Sequence, residues 1–213
     1  EWDRAEAKEF GSMIKFGAIS SDRDKINSAY EAGANIIGTN VVVSVKSFLD
    51  AETGIAMFLK LKIRLIIFGN QEKIQPPKSH THTHTISNIG YNIFLAFTVH
   101  YQMTTAVTDC TNAFLHAHNP RQLLLVVNKS TMEAFSRQGL DTTANGKMLI
   151  ALKAIYGAQD AGDHFTGLLL DILIHRLGFV HVPDDPAFLI GRFDDGIMML
   201  LMHVDDLPMA GTT

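Results

Sequence analysis

The sequence has a single cysteine, no apolar run of membrane-spanning length, no basic-then-apolar leader and no excess of positive charge. Each absence closes off a class of protein. A lone Cys110 rules out an internal disulfide and any cysteine-based zinc site, which fits a reducing compartment. Without a spanning run or a leader the expectation is a soluble chain that is not secreted and has no membrane partner. A formal net charge of −4 speaks against a general polyanion-binding surface. No internal repeat occurs, and the only low-complexity patch is the His-Thr run at residues 80–84. The chain begins at Glu1 without an initiator Met and stops two residues after Gly211, so an excised or incomplete segment is expected.

What is present suits one large domain or two small ones, because 213 residues carry enough apolar side chains to bury a sizeable core. Trp2, Ala5, Phe10, Met13, Ile14 and Phe16 recur at mostly helical spacing, which predicts an amphipathic helix over residues 2–16. A polar connection follows. Asn35 to Phe48 is rich in Ile and Val and reads as a strand, with turn residues from Asp50 to Gly54. From Met57 to Ile67, apolar residues alternate with Lys60, Lys62 and Arg64, so a strand there sets all three cations on the face opposite its apolar one. That basic face is either an ordinary solvated strand face or a grip on phosphate. Locally the charge is positive: Ile55 to His80 holds five bases against one acid.

The pattern continues in the same alternating style. Ile86 to Tyr101 reads as a helix with Ile86, Ile89, Ile93, Phe94 and Phe97 on a core-facing side. Met103 to Cys110 reads as a strand that ends in Asp109, and Thr111 to His116 turns the chain. Strands are predicted at Gln122–Val127 and Lys147–Ile155, with a turn at Asn145-Gly146 between them. A helix over about residues 158–175 ends at Gly178, Phe179 to Phe193 is strand-like, and Asp194-Asp195-Gly196 turns into a hairpin over Ile197–Gly211.

That last hairpin carries the most suggestive chemistry. Asp205 and Asp206 sit at its tip between apolar runs. Two carboxylates held so close repel unless a cation lies between them or solvent screens them, so the pair is either a polar turn or part of a divalent-metal site. Asp109 is a second acidic strand end, and two such ends side by side would complete a cation site. His80, His82 and His84 share a face in an extended segment and could bind zinc or nickel, but no cysteine or carboxylate near them in sequence completes four ligands.

Together these residues resemble the reverse transcriptase domain of Ty1/copia-type retrotransposons over nearly the whole chain. Glu1, Trp2, Ala5 and Glu9 look like its opening Glu-Trp-x-x-Ala-x-x-x-Glu. Lys62-Ile-Arg64-Leu65-Ile-Ile-Phe-Gly69 is similar to its Lys-Ala-Arg-Leu-Val-x-x-Gly motif. Asp109-Cys-Thr-Asn-Ala-Phe-Leu-His116 looks like Asp-Val-x-x-Ala-Phe-Leu-x-Gly. Ile155-Tyr156-Gly157, with Ala161, Gly162 and Phe165 following, resembles Leu-Tyr-Gly-Leu-Lys-Gln-x-Pro-Arg-x-Trp. His203-Val204-Asp205-Asp206 matches the Tyr-Val-Asp-Asp box. Any one of these is weak; five in the right order with sensible gaps are specific.

The resemblance implies an α/β (α+β) right-hand polymerase fragment, incomplete at its C-terminus, with fingers over residues 1–100 and a palm over 101–213 whose antiparallel sheet is backed by helices. It implies an RNA-directed DNA polymerase, a nucleotidyltransferase that uses two Mg2+ ions (or Mn2+) held by Asp109, Asp205, Asp206 and the Cys110 carbonyl. Lys62, Arg64 and Phe114 would meet the deoxynucleoside triphosphate, and Tyr156, Gly157 and His203 the template-primer. The partners implied are an RNA or DNA template with primer and the integrase and RNase H of the same polyprotein, in a cytoplasmic retrotransposon particle or the nucleus. Without thumb and RNase H, weak template-primer binding and poor extension are expected of this piece.

Departures from the pattern support rival readings. His203 replaces the Tyr of the acidic box, Asp160 and Asp163 stand where the family has Gln and Arg, and Val41 to Val43 replace its Trp-Val-Phe. Pro208 interrupts the second hairpin strand, tolerable only at an edge or bulge. A catalytically inactive retroelement remnant, acting at most as an interaction module, is therefore the first alternative. A nucleotide cyclase on a palm-like sheet is the second, and it shares only the acids.

Overall fold

The computed structural model describes residues 1–50, 53–81, 83–143, 146–194 and 196–212. Outside these lie Ala51 and Glu52 of the Asp50–Gly54 turn, His82 of the His-Thr run, Asn145 of the Asn145-Gly146 turn and Asp195. In chain order the elements are α1 (Trp2–Lys15), β1 (Ile19–Ser20), α2 (Arg23–Glu31), β2 (Asn35–Leu49), β3 (Ala56–Ile67), α3 (Asn88–His100), β4 (Thr104–Asp109), α4 (Ala113–His116) and β5 (His118–Val126). They continue as α5 (Lys129–Arg137), β6 (Met148–Lys153), α6 (Ala161–Asp171), β7 (Phe179–Val182), β8 (Asp185–Phe193), β9 (Gly196–Leu201) and β10 (Asp206–Gly211). The fold is mixed α/β with two five-stranded sheets, of order β1-β6-β5-β2-β3 and β4-β10-β9-β8-β7, as the α+β expectation requires. No helix among the described residues is long and apolar enough to cross a membrane.

The chain forms two compact units, Glu1–Pro76 with Phe114–Ala161 and Pro77–Ala113 with Gly162–Thr213. A single cut near residue 100 and this interleaved division are different partitions of the chain.

In the first unit, α1 turns Phe10 and Met13 inward, and Phe10 meets Phe135 of α5 edge-on at 4.6 Å. The β strands add Leu65, Leu125 and Leu149 to the same core. Each such fully buried side chain contributes about 1.5–3 kcal/mol of hydrophobic stabilisation. The polar connection after α1 contains a helix: Asp22 caps α2 by accepting the N–H groups of Asp24 and Lys25, and Ile26 and Ala29 are buried. Asn128 caps α5 in the same way through the Thr131 N–H at 2.8 Å.

The alternation along β3 holds for only part of its length. Ile63, Leu65 and Ile67 are buried, but Met57 and Leu59 are 47% and 55% exposed. The distal parts of β2 and β3 pair with each other and not with the core, and the register shifts between Lys46 and Ser47, leaving Leu59 as the extra residue.

The second unit is built on an antiparallel sheet whose central strands are covered on both faces, while the edge strand β4 is exposed along its whole length. Leu189, Leu200 and Met202 pack with Leu173, just beyond α6, while Phe188, Met199 and Leu201 pack with Phe94 of α3. Period-two alternation divides the strands between the two faces, so β9 is buried on both. The π-helical turn Ile172–Arg176 extends α6, and Gly178 at φ +74 ends it.

The helix α3 corrects an expectation. Its buried line is Gly90 and Phe94, whereas Ile89 and Phe97 are 73% and 49% exposed and Ile93 is also exposed. Apolar residues surround this helix on every side, so periodicity could not choose the face. Pro208 lies opposite Val107 of β4 at a point before β10 begins to pair with β9, which starts at Met209↔Leu200. The proline thus sits at the end of one ladder although its strand is interior to the sheet.

Candidate functional site

The acidic hairpin is closed by a two-residue turn. The His203 N–H donates to the Asp206 carbonyl at 2.9 Å and the Asp206 N–H donates back to His203 at 3.1 Å, leaving Val204 and Asp205 as the turn. Val204 adopts φ +59. A β-branched residue in the left-handed region is strained by about 1–3 kcal/mol and persists only where its surroundings hold it. Val204→Asn is therefore expected to stabilise the protein by about 1 kcal/mol, since Asn tolerates this region. The check is a rise in urea midpoint at unchanged slope; a fall would show that the packing of Val204 outweighs its strain.

This turn lies beside the end of β4. Asp206 is the cross-strand partner of Asp109, and the Cys110 N–H donates to the Asp205 carbonyl at 2.9 Å. The two acidic strand ends are neighbours. Directly opposed residues of an antiparallel pair point to the same face, and like charges there repel. Asp109 and Asp206 are exposed and Asp205 half-buried, so water moderates that repulsion. Burial pushes the Cys110 thiol pKa up, and the Asp109 and Asp205 charges push it further. The Cys110 carbonyl already accepts the Ala113 N–H at 3.0 Å. Exposed His203 also forms an isolated antiparallel bridge with Thr85, in the segment before α3. Among the described residues no three His, Cys, Asp or Glu side chains converge as a group able to hold a metal ion. The backbone brings the acids together without closing their carboxylates on one point.

The other expected site residues belong to the first unit. Arg64 lies with its guanidinium carbon 4.6 Å from the centroid of the Tyr156 ring, and Phe114 meets that ring edge-on at 4.8 Å. Lys62 shares the Arg64 face of β3, two residues away. The Glu9 carboxylate accepts the Leu65 N–H at 3.0 Å, covering an outward donor of the edge strand β3. Burial pushes the Glu9 pKa up, opposed by that hydrogen bond and by the nearby charges of Arg64 and Lys62. Gly157 runs backbone to backbone against Ile67.

No family model matches the chain, and no curated protein matches it.

Asp160 and Asp163 are both engaged. Asp160 is 2% exposed and takes a bidentate pair from Arg121, at 2.5 Å on each oxygen, while Arg121 also binds Glu72. Its charge is neutralised inside the first unit. In the second unit Asp163, in the first turn of α6, meets His80 Nδ1 at 2.8 Å. Sequence reasoning missed both Arg121 and the engagement of Glu9. A single Arg between Pro120 and an apolar run carries no signal of its own, while Glu9 was visible only as part of the opening motif.

Proposed function

We propose that the chain is the fingers-and-palm portion of a Ty1/copia-type RNA-directed DNA polymerase, adding deoxynucleotides to a primer 3′ end on an RNA or DNA template. The observation that carries this reading is the juxtaposition of Asp109 with Asp206 across β4 and β10, and of Cys110 with Asp205. Two acids nearly a hundred residues apart in sequence end adjacent strands at one edge of an antiparallel sheet. On this reading the unit bearing the acids takes the palm role and the unit bearing Lys62 and Arg64 the fingers role.

The acids would offer hard oxygen donors open to water, which suits magnesium, an ion that keeps several of its own waters, and manganese after it. Asp109, Asp205 and Asp206 would hold the ions, with an oxygen from the Cys110 carbonyl. When bound, two such ions supply Lewis-acid stabilisation at phosphorus and ease loss of the primer hydroxyl proton. The chain's own share is positional. The ladder between β4 and β10 fixes Asp109 against Asp206, and the strained Val204 turn fixes Asp205. Arg64 and Lys62 bring positive charge to the triphosphate. Template, primer, the integrase and RNase H of a polyprotein, and a cytoplasmic particle or nuclear setting belong to the same proposal.

One observation favours the inactive-remnant reading: Asp160, at a position where the family has Gln, is held by Arg121, which also binds Glu72. Primer extension on an RNA template with the longer open reading frame decides between the two. Wild-type protein is expected to incorporate nucleotides and Asp205→Asn to lose about 100-fold or more of that rate with its fold intact. Equal incorporation by both would remove the metal role of Asp205, and none by wild type would favour the remnant.

A further inference from the structure

Tyr156 touches two groups at once. Its ring lies under the Arg64 guanidinium at 4.6 Å and receives the Phe114 ring at 4.8 Å with an interplanar angle of 62°. All three side chains are half-buried, so the stack is anchored and still open to solvent. Its root is fixed as well. The Tyr156 carbonyl accepts the Ile67 N–H at 2.9 Å, which ties the ring to the strand that carries Arg64 three residues earlier.

The geometry has a specific consequence for Arg64. The donors of a guanidinium lie in its plane, so stacking on an aromatic face covers the flat side and leaves the donors pointing outward. No carboxylate among the described residues forms an ion pair with Arg64, and the neighbouring Glu9 is committed to the Leu65 N–H. Arg121 makes the contrast plain, because two acids occupy its donors. An arginine held over an aromatic ring and in no ion pair has given up side-chain freedom before any ligand arrives, which is how preorganisation raises affinity. Lys62 on the same strand face adds a second positive charge, matching a ligand with several negative charges.

We propose that Tyr156 is a positioning residue that presents Arg64 to the phosphates of a nucleoside triphosphate, with Phe114 bracing the ring from its edge. The nucleotide identity of the ligand rests on the polymerase reading; the clamp rests on the ring geometry. This role differs from the template-primer contact that the sequence resemblance gave Tyr156.

The test is titration of the purified protein with dATP and Mg2+ in wild type, Tyr156→Ala, Tyr156→Phe, Arg64→Ala and the Arg64→Ala/Tyr156→Ala double variant. Tyr156→Ala is expected to raise Kd about fivefold, while Tyr156→Phe, which keeps the π face, stays within about twofold of wild type. In the Arg64→Ala background, removal of the ring is expected to have no further effect. A merely structural tyrosine would lower affinity equally in both backgrounds. Unchanged affinity in Tyr156→Ala, a loss independent of Arg64, an equal loss in Tyr156→Phe, or no dATP binding by wild type would each overturn the proposal. Binding with the expected dependence in a protein that extends no primer would keep the clamp and reject the polymerase. Extension whose KM for dATP ignores Tyr156 would do the reverse.

Discussion

Arg121→Ala is expected to destabilise the protein by about 3–5 kcal/mol, because it strands two buried carboxylates. The Arg121 side chain is 19% exposed and its partners Glu72 and Asp160 are 0% and 3% exposed. Nε and Nη2 grip the two oxygens of Asp160 at 2.5 Å each, and Nη1 reaches Glu72. Burial alone pulls the guanidinium pKa down, but hydrogen bonds and charge from Asp160 and Glu72 outweigh it and the net direction is up. Arg121 therefore stays charged while it neutralises its partners. The cost of the variant comes from what remains, since an ion taken from a buried group leaves its partner both desolvated and unpaired. Urea denaturation checks the magnitude. A triple variant, Arg121→Met with Glu72→Met and Asp160→Leu, is expected to recover most of the loss, because replacing a whole buried ion group with apolar side chains is often neutral. If Arg121→Ala falls within about 1 kcal/mol of wild type, the cluster is wetter than its burial implies.

This cluster also marks where sequence reading stops. The acidic hairpin, α1, the β2–β3 hairpin, the strand ending in Asp109 and the helix before Gly178 were all legible, because each is a local pattern: alternation, helical spacing, or a turn residue at a boundary. The adjacency of Asp109 and Asp206 was legible only as a conjecture from two acidic strand ends. The helices α2 and α5 were not read, although Asp22 and Asn128 are ordinary cap residues, because few apolar positions follow each cap. The α3 face failed for the opposite reason, an excess of apolar positions. Arg121 with Glu72 and Asp160, and Glu9 with Leu65, could not be read at all. They join residues 39 to 56 positions apart, and nothing local to any one of them announces its partner.

Gly157→Ala is expected to destabilise the protein by about 2–3 kcal/mol, enough to lower Tm by about 4–12 °C in a chain of this size. Gly157 adopts φ +97, a backbone conformation that L side chains rarely take. A Cβ there would fall on the Ile67 carbonyl and lie 3.0 Å from its nitrogen, and a backbone neighbour held by the Tyr156 carbonyl cannot swing aside as a flexible side chain could. Gly69 is packed on the same crossing, where its own Cβ would meet the Gly157 carbonyl. The resemblance assigns Gly157 to the template-primer, but a glycine that lets two backbones pass has a reason to be there without any nucleic acid. The two roles separate experimentally. A Tm drop of the expected size in ligand-free protein assigns the glycine to the crossing. An unchanged Tm with weakened binding of a primer-template duplex would instead return it to the nucleic acid. Because the crossing also anchors Tyr156, the first outcome carries a corollary: dATP affinity in Gly157→Ala should fall toward that of Tyr156→Ala, even though no ligand-facing atom has been removed.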